Sequence, residues 1–200
     1  MSVTEPIRNS GELRDFMNFY KEEHCNPRNY CLIVTGLNTA LRISDILNIT
    51  WDEVYDFELD CCKTHLKLTE MKTKKIQNIV INEELKWALK LLKESSDNVA
   101  PSQYLFHSKD DCFKPISRIQ AYRIIRKAAQ MTISNHTHIG CHSLRKTFGY
   151  FAYKNGANPI LLMSIFNHSS FEITKRYIGI TQDEKDSVYL NLNFKYEQSV

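Results

Sequence analysis

The sequence contains no run of roughly 18 apolar residues, so no segment of it can cross a membrane as a helix. Its start, MSVTEPIRNS, lacks the basic, apolar and small-residue order of a secretory leader, and the expected location is inside the cell. Cysteine is sparse and scattered, at positions 25, 31, 61, 62, 112 and 141. A chain of 200 residues with 42% hydrophobic content can build its own core, so reduced, partly buried thiols are expected rather than disulfide staples. Repeats, low-complexity tracts and separating linkers are also missing, which leaves one domain with short extensions. The most informative lack is of carboxylates. Residues 112–171 hold eight Lys and Arg and not one Asp or Glu, whereas residues 1–60 hold eleven acidic residues against five basic ones. Solvated surface cations are the plainer account, but mixed signs solubilise equally well. A surface that meets a polyanion explains the pattern better, because each carboxylate there would repel phosphate.

The apolar pattern predicts a mainly helical chain with one small antiparallel sheet, an α+β fold. After Ser10, a candidate N-cap, Leu13, Phe16, Met17 and Tyr20 recur on one helical face. Pro27 opens a helix that is apolar all round over Tyr30–Val34, as buried helices are. A short helix from Leu41 to Leu47 is expected to contain Arg42 and Asp45. Between Asp60 and Ile81, alternation at Leu66 and Leu68 and the β-branched Ile76, Ile79, Val80 and Ile81 predict two or three strands turning near Lys72–Lys75. Asn82 and Ser117 cap two further amphipathic helices. Cys141–Lys154 reads as a helix ending at Asn155–Gly156, Pro159 opens the next, and Ser169 or Ser170 caps a short one reaching Tyr177. A last amphipathic piece is expected from Glu184 to Leu190.

Several residues stand out chemically, each with a plain structural account beside it. His142 and Arg145 share a helix face. Arg42 and Asp45 make an exposed ion pair, or else Asp45 holds the Arg42 fork toward a ligand. Lys72, with Lys74 and Lys75, guards a strand edge, or a mobile hairpin brings its ammonium to a phosphate. Asp56, Glu58 and Asp60 would share one strand face, as in a metal nuclease, though a solvated turn is preferred. His136, His138, Cys141 and His142 lack a standard zinc spacing. Tyr177 is one of ten tyrosines.

Taken in order, TGLNTALRISDILNITWDEV, LTEMKTKKIQNIVI, HSLRKTFGYFAYKNG and NHSSFEITKRYIGI resemble the four active-site boxes of the tyrosine recombinases, the integrase family of site-specific recombinases. The resemblance runs from about Leu13 to Tyr177. It implies a catalytic domain at 11–182, an extension at 1–10, and a C-terminal helix or tail at 183–200 that docks on a neighbouring protomer. It further implies a site of Arg42, Lys72, His142, Arg145 and His168 around the nucleophile Tyr177, supported by Asp45. Lys74, Lys75, Arg118, Arg123, Arg126, Lys127 and Lys146 are the expected DNA contacts beyond it. The implied reaction cleaves and rejoins double-stranded DNA through a 3′-phosphotyrosyl link, without metal, ATP or other cofactor. The implied assembly is a homotetramer on synapsed DNA, with accessory DNA-bending proteins, in the cytoplasm at the nucleoid. A non-cleaving DNA-binding regulator and a type IB topoisomerase are the alternatives. Two departures from the family pattern stand. Asn167 occupies a position where glycine is expected, and only about ten residues precede the first helix, where the family usually has a separate DNA-clamping domain.

Overall fold

In the computed structural model, which describes residues 4–178, 186 and 188–192, the chain opens with α1 (Ser10–Asn18). Asn9, not Ser10, caps it, accepting from the amides of Gly11 and Glu12. One π-helical turn, Phe19–Glu23, follows, and Phe16, Phe19 and Tyr20 are buried. In α2 (Pro27–Thr39) every residue from Asn29 to Leu37 is buried, as its all-round apolarity requires. Short helices α3 (Ile43–Ile46) and α4 (Trp51–Val54) lead to the small pair β1 (Tyr55–Asp56) and β2 (Cys61–Cys62). The antiparallel hairpin of β3 (His65–Thr69) and β4 (Ile76–Val80) pairs Leu66 with Ile79 and Leu68 with Gln77. Leu66 and Leu68 point into the core.

Four longer elements complete the body: α5 (Glu83–Glu94), capped by Asn82, α6 (Arg118–Thr132), α7 (Cys141–Lys154) and α8 (Pro159–Ile165). Ser117 and Gln120 form a reciprocal capping box at the start of α6. α9 (Phe171–Ile178) carries Tyr177. Among the described residues no helix is long and apolar enough to span a membrane, and all six cysteines are free.

Helices α2 and α5, the first helices, α6 and the hairpin enclose the main core. A satellite cluster of Ala40, Leu162, Phe166 and Ile178, with Phe148 and Tyr177 packed on it, joins α7, α8 and α9. Two glycines let α7 approach its neighbours. A Cβ on Gly36 would clash with Leu144 Cδ1, and one on Gly149 would lie 2.7 Å from Phe166 Cζ. Residues 4–9 are packed rather than loose: Glu5 N–H donates to the His138 carbonyl, Ile7 N–H donates to Thr147 Oγ1, and Ile7 is buried.

The expected helix Glu184–Leu190 falls partly outside the described residues, Glu184 among them; Asp186 and Val188–Leu190 are helical. The carboxylates of the nuclease reading are engaged in local structure. Asp56 accepts from the amides of Glu58 and Leu59, and Asp60 binds Tyr55 and Lys93. Among the described residues no group of three His, Cys, Asp or Glu side chains is arranged to hold a metal ion, so neither Asp56, Glu58 and Asp60 nor His136, His138, Cys141 and His142 come together as a ligand set.

Candidate active site

Arg42 is the N-cap of α3 with extended backbone (ψ 148°), not a residue within that helix. Its side chain therefore leaves in a different direction from a helical one, and the expected Arg42–Asp45 partnership does not form. Arg42 Nη1 instead donates to Glu70 Oε2 at 2.8 Å. Asp45, buried, turns the other way and accepts the Met71 amide at 2.8 Å, anchoring the β3–β4 hairpin beside Lys72. Glu70 is fully buried and also accepts from the Thr73 hydroxyl and from Gln77 Nε2 at 3.1 Å. Burial pushes its carboxyl up, but the bonds from Thr73 and Gln77, the Arg42 charge and a bond from the Asn167 side chain outweigh it and hold the group below the ordinary carboxylate range.

Arg145, on the second turn of α7, is buried to 1% exposure. Its Nη1 donates to the Ala40 carbonyl and its Nη2 to the Phe166 carbonyl. The guanidinium carbon lies 4.9 Å from the Phe166 ring centre and 5.9 Å from that of Tyr177. Burial first, and the nearby Arg42 charge second, bring its pKa down to about 10, so it remains a cation at neutral pH. Its Nε is buried without a partner among the described residues. An orphan donor inside a cationic pocket is what a site for an oxyanion leaves open.

His168 follows α8, with its ring stacked on Phe166 and edge-on to Tyr177 at 4.6 Å between centres. Nδ1 lies 3.0 Å from Thr174 Oγ1, so its tautomer is coupled to a buried hydroxyl one turn before Tyr177. Burial and then the Arg145 and Arg42 charges lower its pKa to about 4. Asn167, the departure from the glycine pattern, has φ 49°, in the left-handed region. Asparagine tolerates that region best after glycine, so the backbone turn survives the replacement. His142 is exposed at the start of α7; desolvation, then Arg145, Lys146, Arg42 and Arg118, lower its pKa, so it too is neutral near pH 7. Tyr177 is half-buried against Phe166, His168 and Arg145.

The fold thus gathers Arg42, His142, Arg145, His168 and Tyr177 from four separate segments. Lys72 is exposed at the hairpin tip with no side-chain partner among the described residues, while the turn around it is fixed by the Met71 amide on Asp45 and by Glu70, and β4 by a bond from Gln77 to the Ile165 carbonyl. The hairpin is therefore tethered rather than wholly mobile. Lys74 and Lys75 are exposed beside Lys72, and Arg118 is exposed near His142. Other expected DNA contacts are placed differently. Arg126 is committed to the His136 and Ile139 carbonyls. Arg123 and Lys127 line a separate cleft of about 370 Å³ with Tyr20, His24 and Asn29. Lys146 donates to the Thr4 carbonyl and lies 5.6 Å from the Tyr177 ring centre. Glu70, Thr73, Gln77 and Thr174 were missed in the sequence; the one signal for Glu70 was a carboxylate two residues before the hairpin lysine.

The profile of the phage integrase family matches residues 9–184. A probable integrase/recombinase of Bacillus subtilis (strain 168), YoeC, is 41% identical over 189 residues, which cover 94% of this chain and 97% of that one. Among solved structures, the XerA recombinase superposes with a TM-score of 0.74 at 19% identity, covering 96% of this chain and 67% of the other. A transposon Tn1549 integrase, in complex with a circular intermediate DNA, gives 0.70 at 22% identity, with coverage of 96% and 67%. XerH site-specific recombinase bound to its substrate gives 0.70 at 15% identity, with coverage of 96% and 56%. At these identities the structural likeness is one of fold.

Proposed function

The chain belongs to the phage integrase family, and from that membership we propose that it is a site-specific DNA recombinase whose Tyr177 hydroxyl attacks a phosphodiester and holds the broken strand covalently. The observation that carries this reading is the packing of Tyr177 against Arg145 and His168, with an unpartnered Arg145 donor buried beside them.

The chemistry follows from the charges. A phosphodiester anion repels nucleophiles, and its transition state spreads charge over the non-bridging oxygens. Arg42 and Arg145 supply fixed cations, each with donors left open by its protein contacts, and guanidiniums stay charged throughout. His168, neutral, adds a hydrogen bond. Tyrosine has a reference pKa of about 10 and needs a base to attack at neutral pH. His142, kept neutral by desolvation and then by its cationic neighbours, is suited to take that proton and return it on religation. Lys72 protonates the leaving 5′ oxygen, its unpartnered side chain reaching out from the tethered hairpin tip. The 3′-phosphotyrosyl link conserves the bond energy for rejoining, so neither ATP nor metal enters the scheme.

Exchange between two duplexes requires four active sites, so the working assembly is a homotetramer on double-stranded DNA, with bending proteins as accessory partners. Residues 11–182 act as the catalytic domain, with residues 1–10 as its extension. The segment 183–200 docks on a neighbouring protomer; its described residues Val188, Tyr189 and Leu190 are 66%, 77% and 84% exposed.

The test is covalent capture. The chain is incubated with a random-sequence library of nicked suicide duplexes, and adducts are recovered under denaturing conditions. Wild type is expected to yield adducts at one sequence, insensitive to EDTA, and Tyr177→Phe none. An adduct that persists in Tyr177→Phe removes the tyrosine assignment, binding without any adduct favours a non-cleaving regulator, and cleavage at many sequences favours a topoisomerase.

A further inference from the structure

We infer that Glu70 is a positioning residue for strand cleavage, fixing the Arg42 guanidinium and tying it to the lysine hairpin and the His168 turn; this rests on the reading of Arg42 as a ligand of the scissile phosphate. Three separate parts of the chain converge on this one carboxylate. Oε2 accepts from Arg42 Nη1 at 2.8 Å and from the Thr73 hydroxyl, Oε1 accepts from Gln77 Nε2 at 3.1 Å, and the Asn167 side chain adds a further bond. The group is fully buried. A buried ion pair is weak evidence for stability, because apolar residues of similar volume often serve a core as well. What such a cluster does supply is a single geometry. Arg42 has no other hydrogen-bond partner among the described residues and its side chain is 17% exposed, so one corner of the fork is held while the rest stays open to a ligand.

The position of Glu70 in the chain extends the effect. Glu70 stands two residues before Lys72, and Asn167 immediately precedes His168. Gln77 binds both Glu70 and the Ile165 carbonyl, joining the hairpin to the end of α8. Preorganised donors are worth most when they need not reorient during the reaction, and Glu70 is the group that removes that freedom from Arg42. Gln at this position keeps the volume, but its NH2 must face one of the surrounding donors, so the cluster cannot stay saturated. It also removes a negative charge beside the phosphate site. Binding of DNA should therefore hold or tighten while the chemical step slows, a split that a general loss of structure does not produce.

The experiment measures single-turnover adduct formation by the full chain on the duplex recovered by covalent capture, with either a phosphodiester or a methylphosphonate at the mapped scissile position. Methylphosphonate removes the non-bridging charge that Arg42 would meet. Glu70→Gln is expected to slow phosphodiester cleavage by about 10- to 100-fold without weakening DNA binding, and the deficit should shrink at least roughly tenfold on the methylphosphonate. A deficit equal on both substrates, or one matched by lost binding, overturns the proposal, as does an unimpaired Glu70→Gln. Should Glu70→Gln lose its helical circular dichroism, Asn167→Gly carries the same test. It relaxes the left-handed backbone while deleting one bond to Glu70, and it should give a smaller deficit that narrows in the same way. A wild-type chain that forms no adduct sinks the recombinase reading and this inference with it, whereas active wild type beside unimpaired variants sinks the inference alone.

Discussion

His168 enters the site uncharged because burial and the Arg145 and Arg42 cations hold its pKa near 4. The unfolded chain, with histidine near 6.5, takes up a proton that the folded chain refuses between those values. This contribution to stability is whole above pH 6.5 and is lost as the pH falls toward 4. Urea midpoints should therefore decline over that interval, and the decline should be shallower in His168→Gln; an unchanged slope would show that the imidazole is already protonated in the fold. At this scale the catalytic candidates were legible only as an ordered set, because Arg42, His142, Arg145, His168 and Tyr177 match the family's boxes together while none stands out alone. Their partners were not legible. Asp45 was matched to Arg42 by helical spacing, but Arg42 sits at a cap with extended backbone, and its side chain goes to Glu70 while Asp45 takes the Met71 amide. Glu70 is saturated by Thr73 and Gln77 of its own hairpin together with Arg42 and Asn167 from distant positions, a combination no local pattern reveals.

Helix α7 passes close to its neighbours and carries two of the six candidate site residues, so its Gly149 is a structural requirement. At Gly149 an added methyl meets the Phe166 ring, which is itself wedged under Arg145 and against Tyr177 and His168. Gly149→Ala should destabilise the fold by about 1–3 kcal/mol through overpacking. Thermal melts would then fall by roughly 2–4 °C per kcal/mol. A melt within one degree of wild type would mean that the satellite cluster yields without strain. Helices were the most readable elements, since α2 is apolar all round and α5 and α6 carry clear faces with side-chain caps. The strands were readable as a hairpin from alternation at Leu66 and Leu68. The π turn after α1 and the two-residue pair β1 and β2 left no periodic trace, being shorter than any period that could announce them.

Across the whole molecule the carboxylate-free stretch becomes α6, α7 and α8, but its cations do not all face one way. Arg118 is exposed near His142, whereas Arg126 is bound to two carbonyls of its own chain. Composition sees equal charges here, and only the tertiary arrangement separates them. In DNA-binding titrations against salt, Arg118→Gln should reduce the log–log slope by about 0.9, one phosphate contact. Arg126→Gln should leave the slope unaltered and lower the melting temperature instead. Equal slopes for both variants and wild type would place the DNA away from α6.

Arg145 has a consequence for how this gene can decay. Its guanidinium joins the end of α2 to the turn before His168, within the protein's own interior, so selection for mere persistence of the fold suffices to retain it. Lys72 has no such second employment, and Tyr177 has it only in its ring, which packs on the satellite cluster as a phenylalanine ring would. In copies released from the need to cut DNA, the tyrosine and the lysine should drift first and Arg145 last. A lineage of inactive descendants would then keep an arginine whose original chemistry had already gone.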